Sequence, residues 1–227
     1  MTRKMLPIFV SLALVTAAFA QKKEAQRLDK AAKALQEIAT SDKGLNHHIL
    51  DLAYCVMVYP SVKKVAFGVG DSYGRGALLC RKGADMKGDW GAPAMFALDQ
   101  ASLGVQFGGT ATDFVLVVVS KKGVDQAVSG KIKLGTDASA TAGPVGAAAS
   151  TYSVTASQAD ILTYSRSKGV FAGVSLAGAL TEVDVDSNTA LYGKELSVKE
   201  IVGGSLEVPA AANGLVDLLD TLSYGRK

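Results

Sequence analysis

Histidine is nearly absent from this 227-residue chain: there are two, His47 and His48, side by side. That scarcity bears on the one short motif with a catalytic look. Gly70-Asp71-Ser72-Tyr73-Gly74 matches the G-x-S-x-G elbow of serine hydrolases. In that fold the histidine base follows the serine in the chain. Here both histidines precede Ser72, and Arg75-Gly76-Ala77-Leu78-Leu79 reads as a further strand rather than the helix an elbow requires. A hydrolase at Ser72 is therefore a remote alternative, and a non-catalytic chain is expected. Cysteine is equally sparse. Cys55 and Cys80 are the two present, without C-x-x-C spacing, which argues against a thioredoxin-like redox pair. Charge of one sign is lacking too: 24 basic residues face 21 acidic ones. A nucleic-acid binder would show a marked basic excess, so no such partner is expected. With 5 prolines and no Pro/Ser-rich linker, one domain is expected.

The one long apolar run is N-terminal. Arg3 and Lys4 precede an uncharged stretch from Met5 to Ala18, then the small-x-small site Ala18-Phe19-Ala20 and polar Gln21-Lys22-Lys23. This is the layout of a secretory signal peptide, too short for a membrane span. Residues 1–20 are read as that signal. The remainder keeps 22 basic residues against 21 acidic, a net charge of +1. An exported chain, periplasmic or secreted, meets an oxidising compartment. There an even cysteine pair favours a bridge over two buried thiols.

Residues 21–42 read as a charged amphipathic helix. Ala25, Leu28, Ala32, Leu35 and Ala39 recur at three- and four-residue spacing, and Ser41–Gly44 breaks the pattern. Residues 43–227 form the domain proper. A short helix is expected over Leu45–Ala53. Strands are expected at Cys55–Tyr59 (ended by Pro60), Val65–Val69, Ala77–Cys80, Phe96–Leu98, Leu103–Phe107 and Phe114–Val119. Further strands are expected at Ile132–Leu134, Tyr152–Thr155, Ile161–Ser165 and Val170–Leu176. The unbroken apolar run Val115–Val119 marks a central strand buried on both faces. Helices are expected over Gly123–Val128, Leu196–Val202 and Ala210–Ser223. Many short strands with few β-α-β crossovers give the α+β class: a curved, largely antiparallel, glycine-rich sheet covered by N- and C-terminal helices.

Three constellations are candidates for binding. Asp184, Asp186, Asn188 and Glu195 are spaced like a calcium loop, with Thr189 where the turn glycine belongs. His47 and Asp51 are one helical turn apart but lack a third strong ligand, which favours a surface helix face over a metal site. Basic side chains sit at strand ends and turns: Lys63, Lys64, Arg75, Arg81, Lys82, Arg166 and Lys168. Those residues and the lysines of the 22–39 helix would suit anionic lipid headgroups. The lone Trp90 is assigned to the core.

Six blocks in order carry a family resemblance. They are Ser61-Val-Lys-Lys64, Gly70-Asp-Ser-Tyr-Gly-Arg-Gly76, Trp90-Gly-Ala-Pro93, Gly104–Gly108 with Thr112-Asp113, Lys133–Ser139 leading into Ala142–Gly146, and Tyr164–Gly173 followed by Tyr192-Gly193. Together they resemble the SYLF-domain family, in its bacterial exported branch. The resemblance implies a lipid-binding module without catalytic residues. Eukaryotic members bind phosphoinositides, and some fungal members bind actin. It also implies a Cys55–Cys80 bridge. Asp71 departs from the family's glycine pair, and Ala147–Ser157 lacks the arginine often found there. The expected partner is anionic membrane lipid at the cell envelope, through Lys63, Lys64, Arg75, Lys82, Arg166 and Lys168. A structural or protein-binding envelope component is the alternative.

Overall fold

Strand β1 (Cys55–Phe67) is the spine of the molecule. The computed structural model describes residues 8–41, 44–67, 69–102, 111–145, 147–153, 158–167, 170–172 and 176–224. Pro60 does not end β1. Between Tyr59 and Val62 the strand takes up one extra residue relative to both neighbours and then resumes pairing. The physical cause is local. Pro60 has no N–H for the ladder, and Ser61 adopts a left-handed φ of +54°. The result is a bulge that bends the strand without terminating it. Glycines opposite make the bend sterically feasible: a Cβ on Gly76 would lie 2.0 Å from the Val58 carbonyl oxygen.

β1 is flanked by β2 (Val69–Cys80) and β4 (Ala111–Val118). The sheet continues through β3 (Ala94–Ser102), β9 (Leu180–Val183) and β5 (Lys131–Lys133) on one side. On the other lie β7 (Ile161–Ser167) and β6 (Ala140–Ala142), with β8 (Val170–Ala172) also paired to β7. The order is β5-β9-β3-β2-β1-β4-β7-β6, and among the described strands only β6–β7 pairs in parallel. The curled α+β sheet with helices at both ends is the architecture expected. β4 is the doubly buried central strand: Val115 to Val118 are all solvent-inaccessible.

The alternation along β1 feeds two cores. Val56 and Val58 face the N-terminal helix α1 (Ile8–Ala39), α2 (His47–Leu52) and the C-terminal α7 (Asn213–Leu222). Cys55, Met57 and Tyr59 face the other way, toward α3 (Lys121–Val128), β5 and α6 (Val198–Val202). Cys55 and Cys80 are directly opposite on β1 and β2 and form a disulfide. α1 is part of the domain rather than an appendage. Leu28, Leu35 and Ile38 are at most 1% exposed, and burying three such side chains contributes roughly 5–9 kcal/mol before ordering costs.

Two segments differ from expectation. A helix absent from the sequence reading, α5 (Val185–Tyr192), occupies the would-be calcium loop. Tyr152 and Ser153 are not in a strand; they follow the short helix α4 (Ala147–Ser150). The expected strand at Leu103–Phe107, the Gly104–Gly108 block and the Lys168-Gly169 turn lie outside the described residues.

The second core is closed by Asp160. Its carboxylate accepts from Ser120 Oγ at 2.5 Å, and from Ser139 N and Oγ at 2.8 and 2.9 Å. Burial pushes its pKa up, but those hydrogen bonds and Lys122 outweigh burial and leave it below the ordinary value. A depressed folded-state pKa contributes stability above the unfolded value, near 4, and loses it as pH falls through the folded value. Asp160→Ala is expected to destabilise by about 2–3 kcal/mol at neutral pH. Urea titrations at pH 7 and pH 3 should show that difference shrinking at the lower pH; an unchanged difference would contradict the assignment.

Candidate functional site

The bulge leaves a hollow where α1 crosses β1. Pro60 and Ser61 form its floor, and Ser61 N–H is held by Asp113 Oδ1 at 2.8 Å. Two cavities, about 360 and about 350 Å³, share Lys30, Pro60 and Ser61 and run along α1. The first is walled by Lys23, Arg27 and Lys30 from the helix and by Lys63, Tyr73 and Arg75 from the sheet. It has five cationic side chains and no acidic one in its lining. The second is lined by Lys30, Lys33 and Arg166, together with Glu37 and Asp113.

Helical spacing explains the wall. Lys23, Arg27, Lys30 and Ala34 follow a three- and four-residue rhythm beside the buried Leu28-Ala31-Leu35-Ile38 stripe. Packing that stripe on the sheet aims the neighbouring basic side chains down at β1 and β2. The sheet wall follows from register: Lys63 is paired with Tyr73 across β1 and β2, and Arg75 lies two residues on, on the same face.

The arginines and lysines of this groove have different jobs. Arg75 pairs with Asp184 at 3.0 Å and donates to Tyr73 Oη. Arg27 pairs with Glu24 and approaches Asp184 at 3.9 Å, while donating to Ser187 Oγ at 3.0 Å. Arg166 pairs with Glu37 and lies 3.6 Å from Asp113. These are struts: they fasten α1 to the sheet and to α5. Burial raises the Glu24 pKa above the ordinary carboxylate value, against the opposing pull of Arg27 and Ser187. Lys23, Lys30, Lys33 and Lys63 are exposed and have no ion-pair partner among the described residues. They are the uncommitted charges of the groove.

Of the residues expected to bind lipid, Lys63, Arg75 and Arg166 thus reach the groove. Lys82 does not: it follows β2 at the far end, beside Gly204. Five residues of strand separate Arg75 from Cys80, roughly 17 Å. The Lys64 side chain and Lys168 lie outside what is described. Lys23, Lys30 and Lys33 were legible only as members of a basic helix, because nothing local says which strand that helix crosses.

The residues spaced like a calcium loop fall on and around a helix. Asp184 is the N-cap of α5, accepting from Ser187 N at 3.1 Å and Oγ at 2.7 Å. Asn188 is buried and holds both backbone groups of Met95. Asp186 and Glu195 are exposed on and after the helix. A helix cannot wrap these oxygens around one ion, and no metal-holding group of three acidic, histidine or cysteine side chains occurs among the described residues. His48 Nε2 lies 3.2 Å from the Tyr152 carbonyl, and Asp51 accepts from Tyr224 N–H. At Ser72 the backbone continues as strand, paired with Lys64 and Gln100, so the turn an elbow needs is not formed.

Comparison with known proteins gives one family. Residues 99–222 match the profile described as "Ysc84: Las17-binding protein actin regulator". Protein YSC84 of Saccharomyces cerevisiae is 32% identical over 208 residues, 86% of this chain and 43% of that one. LAS seventeen-binding protein 3 of the same organism is 30% identical over 167 residues, 72% of this chain and 36% of the relative. SH3 domain-containing YSC84-like protein 1 of Homo sapiens is 28% identical over 206 residues, 89% of this chain and 59% of it. The chain spans between about a third and three-fifths of the length of these relatives.

Proposed function

The chain belongs to the Ysc84, or SYLF, family of Las17-binding protein actin regulators, and on that premise we propose that it is a non-catalytic module binding anionic lipid at the envelope of an exporting cell. The observation that supports this reading is the groove with four uncommitted lysines. Lysine is a flexible point charge, suited to phosphate without demanding a fixed headgroup geometry. Tyr73, 45% exposed at the rim, suits the water–lipid interface. The apolar stripe of α1 is buried, so lipid contact runs through cations and not through insertion of that helix. Export rests on the signal-like residues 1–20. Cleavage after Ala20 would leave Glu24, Arg27 and every cation of the groove in place. Among the described residues, no helix is long and apolar enough to cross a membrane.

A basic side chain near an anionic surface contributes about 1 kcal/mol. The double reversal Lys30→Glu/Lys63→Glu is therefore expected to weaken binding by about 4 kcal/mol, on the order of 1000-fold at low salt. Flotation with phosphatidylglycerol vesicles reads this directly. Wild-type binding should also fall steeply between 50 and 300 mM salt, as exposed charges are screened. Equal recovery on neutral and anionic vesicles, or an unaffected double variant, would sink the reading. The second reading, a protein-binding envelope component, draws on the family's description. A discrete crosslinked partner, with no flotation on anionic vesicles, would favour it.

A further inference from the structure

Behind the helix wall of the first hollow lies a buried acid. Glu24 is 3% exposed and pairs with Arg27, one turn on along α1. A carboxylate at that depth has lost its water, and its charge survives there only by pairing. The cluster around it is assembled from three elements. Lys23 and Arg27 share α1 with Glu24, Asp184 and Ser187 come from α5, and Arg75 with its partner Tyr73 comes from β2. Among the described residues these are the charged and titratable groups that act on Glu24 or on its partners in the cluster.

Two carboxylates, Glu24 and Asp184, balance two guanidiniums, Arg27 and Arg75. With Glu24 ionised the cluster is neutral, and the hollow owes its charge to Lys23, Lys30 and Lys63. With Glu24 protonated the same cluster carries one positive charge. That charge reaches the hollow, because Arg27 and Arg75 line it while Glu24 and Asp184 stand behind them. Burial already favours the neutral form of Glu24 and raises its pKa above the ordinary 4.5. Protonation therefore begins at a milder acidity than an exposed glutamate needs.

We propose that Glu24 is a proton switch behind the groove: ionised, it neutralises Arg27, and protonated, it releases the Arg27 charge to an anion in the first hollow, so that binding strengthens in mild acid and takes up a proton. This rests on the anionic-lipid reading and adds a control to it. One more basic charge facing an anionic surface is worth about fivefold in affinity. Linkage makes the effect reciprocal: the bound anion raises the affinity of Glu24 for its proton by the same factor.

The test floats the full chain and its Glu24→Gln variant on phosphatidylglycerol vesicles at pH 7.5 and pH 4.5, in one salt concentration. Glutamine mimics the protonated acid and can still accept from Arg27. Exposed carboxyls and the histidines of α2 also gain protons in this range, but both proteins share that background. The variant is expected to bind about fivefold more tightly than the wild type at pH 7.5 and equally at pH 4.5. Asp29→Asn removes an exposed charge from the same helix and should stay within about twofold of the wild type at both pH values. Calorimetry with the same vesicles near pH 6, in two buffers of different ionisation enthalpy, should show proton uptake by the wild type that Glu24→Gln lacks. Equal binding of wild type and Glu24→Gln at pH 7.5 overturns the switch and leaves anionic-lipid binding standing. So does an Asp29→Asn gain as large as that of Glu24→Gln. Absence of proton uptake by the wild type overturns it whether or not the variant folds. Failure of the wild type to bind at either pH overturns both readings.

Discussion

Replacing Arg81 by alanine is expected to destabilise the domain by about 3–5 kcal/mol, lowering the melting temperature by roughly 10 °C or more. Arg81 follows the end of β2, where a basic residue beside Lys82 reads as surface charge. It is instead 2% exposed. Its Nε donates to Ala53 O at 3.2 Å, and one terminal nitrogen to Leu50 O at 3.3 Å. The other terminal nitrogen donates to Gly88 O at 3.3 Å. The first two acceptors are carbonyls at the C-terminal end of α2, where the dipole is negative; Leu50 O also accepts from the Ala53 N–H. The guanidinium also lies over the Trp90 ring, 4.4 Å from its centroid. Trp90 in turn donates Nε1–H to Ser223 Oγ at 3.0 Å and its backbone N–H to Asp220. One side chain therefore ties α2, the Trp90 loop and α7 together.

Alanine at this position removes three charge-assisted hydrogen bonds and a buried cation–π contact, and opens a cavity under the tryptophan. Lysine keeps the charge but not the planar fork, so Arg81→Lys should recover less than half of the loss. Urea unfolding followed by Trp90 fluorescence gives both numbers. A cost below 1 kcal/mol for alanine would show that the loop holds without it. The groove lies at the other end of β2, so the folded Arg81→Lys protein should bind vesicles as the wild type does.

Arg81 illustrates what was legible and what was not. The strand texture, the doubly buried Val115–Val118 run and the terminal helices follow from patterns within a few residues, and the sequence carries them. Whether a proline ends a strand is decided elsewhere. Pro60 sits in a bulge because β2 and β4 pair with β1 on both sides of it, which a local reading cannot weigh. α5 escaped notice for a different reason. Its buried face comprises Ser187, Asn188 and Leu191, so there is no apolar stripe to find. The polar members are buried because Asp184 caps one and Met95's backbone satisfies the other. The same Asp–x–Asp–x–Asn spelling therefore suits a calcium loop and a capped helix, and the neighbouring β3 decides between them. The groove was half legible. Lys63, Arg75 and Arg166 stood out at strand ends. Which of them are struts depends on acids far away in sequence: Asp184 for Arg75, Glu37 for Arg166.

Loss of the Cys55–Cys80 bridge is expected to destabilise the protein by about 3–4 kcal/mol, or roughly 10 °C in melting temperature. The two cysteines are 25 residues apart in sequence and directly opposite on adjacent strands. The 25-residue loop they close contains the bulge, the β1–β2 connection and the whole first wall of the groove on the sheet side. Cross-linking that loop reduces the freedom of the unfolded chain. In the folded state β1 and β2 are already paired there, so the bridge asks for little rearrangement. Both sulfurs lie in the core facing α3 and α6, fully buried. Reductant should therefore act slowly on the native protein and quickly once it opens. The melting temperature of the wild type in reductant, after prior unfolding, should match that of Cys55→Ala/Cys80→Ala within the small cavity cost of the truncated side chains. A double variant as stable as the wild type would contradict the expectation. A protein made in a reducing cytosol lacks this 3–4 kcal/mol, a large share of the 5–15 kcal/mol typical of a domain. The stability difference between oxidised and reduced protein therefore measures how far this fold depends on the bridge.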